Sequence, residues 1–174
     1  DATLYSGASA LDFVDNFGTS LIGALADCRG PPPSIGSCRP RMLILHGEAA
    51  DSSVMTLSLQ VTGWHQLLST FVDLVFVDAP HMCSPQPELY PGLATRGKYD
   101  RSSYCSWGLG ETGDDESANA RLATTLEYVE AVVAASEVEA IGGMCDGALV
   151  AALVAARKPH LRWYLNIAGP SRSR

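Results

Sequence analysis

The stretch that decides the fold is I-G-G-M-C-D-G-A, at residues 141–148. Its apolar start is typical of a buried strand and the apolar residues after it are typical of a helix, so we predict a sharp strand-to-helix turn with Cys145 at its tip. Gly143 and Gly147 flank the cysteine in a G-x-C-x-G pattern, the pattern of a nucleophile elbow. Small residues at both positions let the backbone take a strained turn that lifts the thiol above the sheet. The alternative is an inert buried cysteine in an ordinary tight turn.

Length and charge limit the classes of protein to consider. At 174 residues the chain can bury one sizeable core but is short for two full domains. The 12 Lys and Arg against 19 Asp and Glu give a net charge of −7 with no basic cluster, which argues against nucleic acid or an anionic membrane as a partner. No apolar run approaches the roughly 18 residues of a membrane span, so we expect a soluble protein without a transmembrane segment. The chain starts at Asp1 rather than Met, which we interpret as either processing or trimming.

The cysteines are an odd set of five: Cys28, Cys38, Cys83, Cys105 and Cys145. The first two bracket a Pro-rich link and the next two bracket a long loop, so the disulfides Cys28–Cys38 and Cys83–Cys105 would leave Cys145 free. That pairing would indicate an organellar or secreted protein. Five reduced thiols in a reducing compartment are the alternative, and the localisation stays unknown.

The chain divides into an arm, a linker and a body. Apolar residues at helical spacing predict an amphipathic helical arm over residues 1–28, although Gly18 interrupts the pattern. Residues 29–40 are rich in Pro and Gly and are predicted to be an extended linker. Residues 41–174 are the predicted body. The arm either docks on another protein subunit or folds back over its own body.

Apolar runs and helical periodicity predict the elements of the body. The predicted strands lie near residues 42–45, 72–78, 138–141 and 161–167. The predicted helices span about residues 57–71, 115–135 and 146–157. Strands that alternate with helices imply a parallel sheet with right-handed crossovers, an α/β fold. The segment from residue 81 to about 113 is too long for a plain connection, so we expect a lid or binding loop there.

Four blocks of the body match a known pattern in order. They are M-L-I-L-H-G at residues 42–47, V-F-V-D-A-P-H at residues 75–81, G-M-C-D-G-A at residues 143–148 and L-N-I-A-G-P at residues 165–170. Together they resemble the small FSH-type serine hydrolases of the α/β-hydrolase superfamily. The resemblance covers the body but not the arm. It implies a truncated α/β-hydrolase-like parallel sheet of about four strands with flanking helices.

The resemblance also implies a site. Members of the family are small esterases or thioesterases, and Cys145 takes the position of their nucleophilic serine. A thiolate is itself a strong nucleophile, and this elbow is also similar to that of the dienelactone hydrolases. The implied oxyanion hole consists of the backbone N–H groups of Glu48 and Asp146, because the strand ending at His46 should lie beside the strand ending at Gly143. That adjacency is where the strand order of an open α/β sheet reverses.

Carboxylates at both oxyanion positions depart from the family pattern. A negative charge on Glu48 or Asp146 opposes a developing oxyanion and disfavours the thiolate. Two alternatives remain open: both side chains turn to solvent, or Glu48 serves as a hydrogen-bond partner or base for the thiol.

The triad acid and histidine are a second departure. In the superfamily they follow later strands, and the four residues after Pro170 supply neither. His46 is expected to brace the loop after its strand, whereas His65 and His160 are expected to be surface or packing residues. His81, at a strand end near the crevice, is the candidate base. No metal-ligand spacing and no phosphate-binding glycine loop occurs, so no cofactor is predicted.

These features favour a degenerate, non-catalytic hydrolase-like domain that serves as a structural or accessory subunit of a larger assembly. Residues 1–28 and the open edge of the sheet are its expected contact surfaces with other protein subunits. The alternative is a cysteine-nucleophile carboxylesterase or thioesterase whose acid and histidine lie beyond residue 174 or come from another chain. A ligand-binding remnant of the crevice is the third interpretation.

Overall fold

The computed structural model describes residues 39–109 and 115–167. The predicted arm, the linker up to residue 38 and the pair Cys28 and Cys38 lie outside these residues, as does the G-P pair at 169–170.

Strands and helices alternate along the described chain. The strands are β1 (Arg41–Leu45), β2 (Asp73–Val77), β3 (His81–Cys83), β4 (Tyr104–Ser106), β5 (Ala140–Met144) and β6 (Trp163–Ile167). The α-helices are α1 (Ser52–Val61), α2 (Trp64–Leu68), α3 (Pro91–Ala94), α4 (Asp115–Ser136) and α5 (Asp146–Arg157). Within these residues, no helix combines the length and the apolar composition needed to cross a membrane.

A four-stranded parallel sheet with the order β2-β1-β5-β6 organises the body. Residues 42–45 of the central strand β1 are at most 5% exposed, because neighbours cover both of its faces. This burial is the physical reason for an apolar run without polar alternation. The predicted truncated α/β-hydrolase-like sheet with flanking helices is confirmed.

The two long helices α4 and α5 pack together against one face of the sheet. The cluster they form contains Leu43, Leu45 and Ile141 from the strands, Val129 and Val133 from α4, and Val150 and Val154 from α5. Full burial of one such side chain contributes about 1.5–3 kcal/mol to stability. The packing of α5 therefore fixes where the helix starts, directly after the end of β5.

The order of the strands reverses between β1 and β5. The chain leaves β1 to form β2 on one side and returns to form β5 on the other, with Leu45 paired to Gly143 at the carboxyl end. The predicted adjacency of these two strand ends is confirmed. Ligand crevices of open α/β sheets lie at such reversals.

The single helix predicted over residues 57–71 is wrong, since the structure has two shorter helices. Gly63 has φ 78°, a left-handed conformation that ends one helix before the next begins. The first helix starts earlier than predicted because the Asp51 carboxylate accepts the Val54 N–H at 2.8 Å and caps it. Val61 and Phe71, two apolar residues of the predicted range, are 56% and 40% exposed.

The long segment after β2, here called the roof loop (residues 79–109), is folded rather than irregular. It contains the antiparallel hairpin β3–β4, a 3₁₀ turn at Pro87–Leu89 and α3. Its side chains form a small second core with the start of α1, made of Ala50, Val54, Leu93, Tyr99 and Tyr104. The roof loop is thus fastened to the chain that follows β1.

The hairpin register also corrects one disulfide prediction. Cys83 and Cys105 are both free thiols in the structure. Cys83 lies opposite Tyr104 and Cys105 lies opposite Met82, so the two thiols point to opposite faces of the hairpin. Cys83 accordingly packs in the small second core and Cys105 against the main core. The proposed pair Cys28–Cys38 lies outside the described residues.

Candidate active site

The elbow is built as the sequence predicts. Cys145 stands between the last residue of β5 and the first residue of α5, with φ 49° and ψ −118°. A residue with a Cβ rarely adopts this conformation, which costs on the order of 1–3 kcal/mol. The thiol residue is exposed. The carbonyl of Cys145 accepts the N–H groups of Ala148 and Leu149, so the N–H groups of Asp146 and Gly147 precede the first bond of the helix and are oriented toward an anion at this end.

Both flanking glycines are sterically required. A Cβ on Gly143 would lie 2.3 Å from the carbonyl carbon of Gly147, inside the first turn of α5. A Cβ on Gly147 would lie 2.3 Å from the carbonyl oxygen of His46. The second contact shows that α5 abuts the end of β1. It brings the elbow against the segment that follows that strand, here called the 46–51 loop (residues 46–51).

His46 braces the 46–51 loop from a fully buried position. Its Nε2 accepts the Ala79 N–H at 3.0 Å, so the ring proton must be on Nδ1, which donates to the Gly47 carbonyl at 2.7 Å. Burial lowers the pKa of His46, although the bond to Gly47 and the charges of Asp78 and Asp51 oppose that shift. The bond to the Gly47 carbonyl fixes the peptide plane that carries the Glu48 N–H. The expected bracing role of His46 is confirmed.

Three aromatic side chains and one backbone N–H of the roof loop donate hydrogen bonds to four further carbonyls of the 46–51 loop. The Trp107 indole N–H donates to the His46 carbonyl at 2.8 Å. The hydroxyl groups of Tyr90 and Tyr99 donate to the carbonyls of Glu48 and Ala49, each at 2.6 Å. The backbone N–H of Cys105 bonds the Ala50 carbonyl at 2.8 Å. With the bond from His46 to the Gly47 carbonyl, all five backbone carbonyls of residues 46–50 therefore accept a hydrogen bond.

The comparisons with known proteins concern this same region. The model of the serine hydrolase (FSH1) family matches residues 37–168. The chain belongs to this family. No curated protein and no solved structure matches the chain significantly. The matched region of this FSH1 serine hydrolase domain contains the elbow, the 46–51 loop and the roof loop.

The charges around Cys145 are unusual for a site that stabilises an anion. Although Cys145 is exposed as a residue, partial burial of its thiol, followed by the negative charges of Asp146 and Glu48, raises the thiol pKa. Burial and then the charge of Glu48 raise the pKa of Asp146 to about 6. The structure thus brings three of the sequence-predicted site residues, Cys145, Glu48 and Asp146, close enough to interact electrostatically.

His81, the candidate base, makes its described contacts elsewhere. Its Nε2 lies 3.2 Å from Thr125 Oγ1 and 3.3 Å from the Arg121 carbonyl, both on α4. The Thr125 hydroxyl already donates to the Trp107 carbonyl, so His81 Nε2 is the donor in both contacts. Among the described hydrogen bonds none joins this ring to Cys145.

The sequence analysis missed Tyr90 as a site residue. A Cβ on Gly47 would lie 2.9 Å from the Tyr90 hydroxyl oxygen, 3.3 Å from Met144 Cε and 3.7 Å from Cys145 Cβ. These groups therefore converge on the 46–51 loop beside the thiol. The abundance of tyrosine in the predicted lid was the available signal, but it does not say which tyrosine reaches the site.

The residues that the structure describes include no group of three His, Cys, Asp or Glu side chains able to hold a metal ion. What the arrangement offers chemically is a thiol on a strained elbow, helix N–H groups beside it, and two carboxylates that oppose negative charge.

Proposed function

We propose that this chain is a degenerate member of the FSH1 serine hydrolase family that no longer hydrolyses acyl esters efficiently and serves as an accessory subunit of a larger assembly. The observation that carries the proposal is the pair of carboxylates beside the thiol. Burial, Asp146 and Glu48 all raise the pKa of Cys145, so the thiol form is favoured over the nucleophilic thiolate.

The same charges oppose the second requirement of acyl transfer. A tetrahedral intermediate places a negative charge on the acyl oxygen, near the N–H groups that the resemblance assigns to Glu48 and Asp146. One carboxylate about 5 Å from that oxygen, at an effective dielectric constant of about 20, opposes it by roughly 3 kcal/mol before solvent relaxes the field. Both the attacking atom and the intermediate are therefore disfavoured.

The first experiment measures the reactivity of the thiol. Iodoacetamide alkylation of Cys145 is followed by peptide mass spectrometry against pH in the native chain and in the double variant Glu48→Gln/Asp146→Asn. Removal of both charges should lower the thiol pKa and raise the rate of alkylation at pH 7 several-fold. Glu127→Gln is the matched control, because Glu127 is exposed on α4 and is not among the charges that act on the thiol.

The second experiment measures turnover. The native chain should hydrolyse p-nitrophenyl acetate and a short acyl thioester no faster than Cys145→Ala does. Hydrolysis that Cys145→Ala abolishes would refute the non-catalytic proposal and establish the second candidate function.

That second candidate is a cysteine-nucleophile carboxylesterase or thioesterase. The strained backbone of Cys145 favours it, because such strain costs stability and clusters at active sites. The thiolate would attack the acyl carbon, the alcohol or thiol would leave with a proton, and water would then cleave the acyl-cysteine. The acid and the histidine would come from outside the described residues or from another chain.

The accessory role needs a contact surface. β6 is an outer strand of the described sheet, and its Trp163 and Tyr164 are 37% and 42% exposed. An outer strand with exposed aromatic side chains suits pairing with another protein, and residues 1–28 are the other proposed contact. Light scattering of the native chain, alone and with co-purifying proteins, tests this part. A stable monomer that retains no partner would contradict it.

A further inference from the structure

Two tyrosines of the roof loop bond to adjacent carbonyls of the 46–51 loop. Tyr90 holds the carbonyl of Glu48 and Tyr99 holds that of Ala49, at the same distance of 2.6 Å. The two rings stack with their centroids 5.1 Å apart. They are therefore chemically equivalent bonds, one residue apart, from neighbouring side chains.

The residue between the two bonded peptide planes is strained. Ala49 has φ 47°, in the left-handed region that favours glycine. The planes on either side of its Cα are those that carry the Glu48 and Ala49 carbonyls. Strain of this kind persists only where surrounding contacts over-determine the backbone. The two hydroxyl groups supply such contacts.

Only one of the two hydroxyl groups has a described link to the thiol. A Cβ added to Gly47 would lie 2.9 Å from the Tyr90 hydroxyl oxygen and 3.7 Å from Cys145 Cβ, so both groups are close to Gly47. Burial and then the charge of Cys145 raise the pKa of Tyr90, whereas Cys145 is not among the charges that act on Tyr99. The Tyr90 phenol consequently remains protonated and keeps donating to Glu48.

We propose that Tyr90 is a positioning residue for Cys145. Its hydroxyl holds the backbone carbonyl of Glu48 in place, and it thereby keeps the Glu48 carboxylate beside the thiol and keeps water away from it. The groups that face the thiol are Glu48 from the 46–51 loop, Asp146 from α5 and Tyr90 from the roof loop. Loss of the hydroxyl releases the Glu48 peptide. The Glu48 carboxylate can then turn toward solvent, and water can approach the thiol. The inference does not depend on turnover, because alkylation requires only the thiolate.

The test compares Tyr90→Phe with Tyr99→Phe in the full chain. Both variants lose one hydroxyl group and one hydrogen bond to the 46–51 loop. Tyr99→Phe also loses the bond that its hydroxyl accepts from the Gln86 N–H at 2.9 Å, so it should lose at least as much stability as Tyr90→Phe. Only Tyr90→Phe should shift the pH midpoint of iodoacetamide alkylation at Cys145 downward and raise its rate at pH 7 about fivefold. The rate in Tyr99→Phe should stay within about twofold of the native chain.

A purely structural role would change alkylation in Tyr99→Phe at least as much as in Tyr90→Phe, because Tyr99→Phe loses the additional bond to Gln86. Equal alkylation changes in the two variants, an unchanged Tyr90→Phe or an upward shift of its midpoint would each overturn the proposal. Thermal unfolding followed by circular dichroism, on the same samples, confirms that the variants compared are folded.

A substitution at Gly47 would displace the Tyr90 hydroxyl without changing Tyr90 itself. Gly47 has no positive φ, so alanine can adopt its backbone, but the new Cβ would lie 2.9 Å from the Tyr90 oxygen and displace it. Gly47→Ala should therefore raise alkylation in the native background and add little in the Tyr90→Phe background. Equal effects in both backgrounds would show that the hydroxyl does not position Glu48.

Discussion

The elbow and the 46–51 loop are two halves of one candidate site, and they hold their shapes by different means. The elbow is shaped by its own glycines, because a Cβ at Gly143 or Gly147 would overlap backbone atoms. The 46–51 loop is shaped by His46 within it and by donors on the roof loop, 42 to 61 positions along the chain. A single added methyl group should therefore disrupt the elbow, whereas the 46–51 loop should lose its conformation stepwise as individual hydrogen bonds are removed.

The largest expected effect is on the elbow. Gly147→Ala should destabilise the fold by about 4 kcal/mol or more, because its Cβ would meet the carbonyl oxygens of His46 and Leu45 at 2.3 and 2.7 Å. Gly92→Ala is the control, since nothing lies within 4 Å of its added Cβ and the change should stay within about 0.5 kcal/mol. Urea unfolding measures both. Similar stabilities would contradict the steric account of the elbow.

The next effect is on the 46–51 loop. Trp107→Phe should cost about 2–3 kcal/mol, because the buried His46 carbonyl loses its donor and the core loses volume. The same substitution at Trp163, which is 37% exposed on β6, should cost less than about 1 kcal/mol. Urea unfolding again provides the measurement. Equal costs would mean that the roof loop does not hold the 46–51 loop.

A smaller effect tests the strain stored at the tip of the elbow. Cys145→Gly should be more stable than Cys145→Ala by about 1 kcal/mol, because glycine adopts φ 49° without steric cost while losing more entropy on folding. Thermal unfolding of the two variants side by side gives the difference. If alanine proves the more stable, the elbow is not strained in solution.

The smallest effect concerns pH. The pKa of Asp146 is raised from 3.8 to about 6, so the folded chain holds this proton more tightly than the unfolded chain. Its ionisation therefore removes stability as pH rises from about 4 to about 6. Asp146→Asn should be more stable than the native chain at pH 8 by about 1 kcal/mol, after allowance for solvent screening. The difference should vanish near pH 4, and a difference that is constant from pH 4 to pH 8 would refute the assignment.

The local patterns of the sequence were sufficient for the sheet and the elbow. The structural effects of the apolar runs in β1 and β5, and of the glycines around Cys145, extend over only a few residues. They can therefore be predicted from the order and spacing of residue types. The failures have tertiary causes. The break at Gly63 depended on a left-handed backbone that a helical pattern conceals, and the pairing of Cys83 with Cys105 depended on the register of a hairpin.

The sequence by itself determined the α/β fold, the family, the cysteine at the tip of the elbow and the acidic residues beside it. Tertiary structure alone decided which tyrosine reaches Glu48, that His81 donates to α4, and that the pKa of Asp146 is raised to about 6. The physical reason is range. Backbone periodicity and glycine sterics are local, whereas hydrogen-bond partners and the pKa of a buried group depend on residues that only the folded chain brings together.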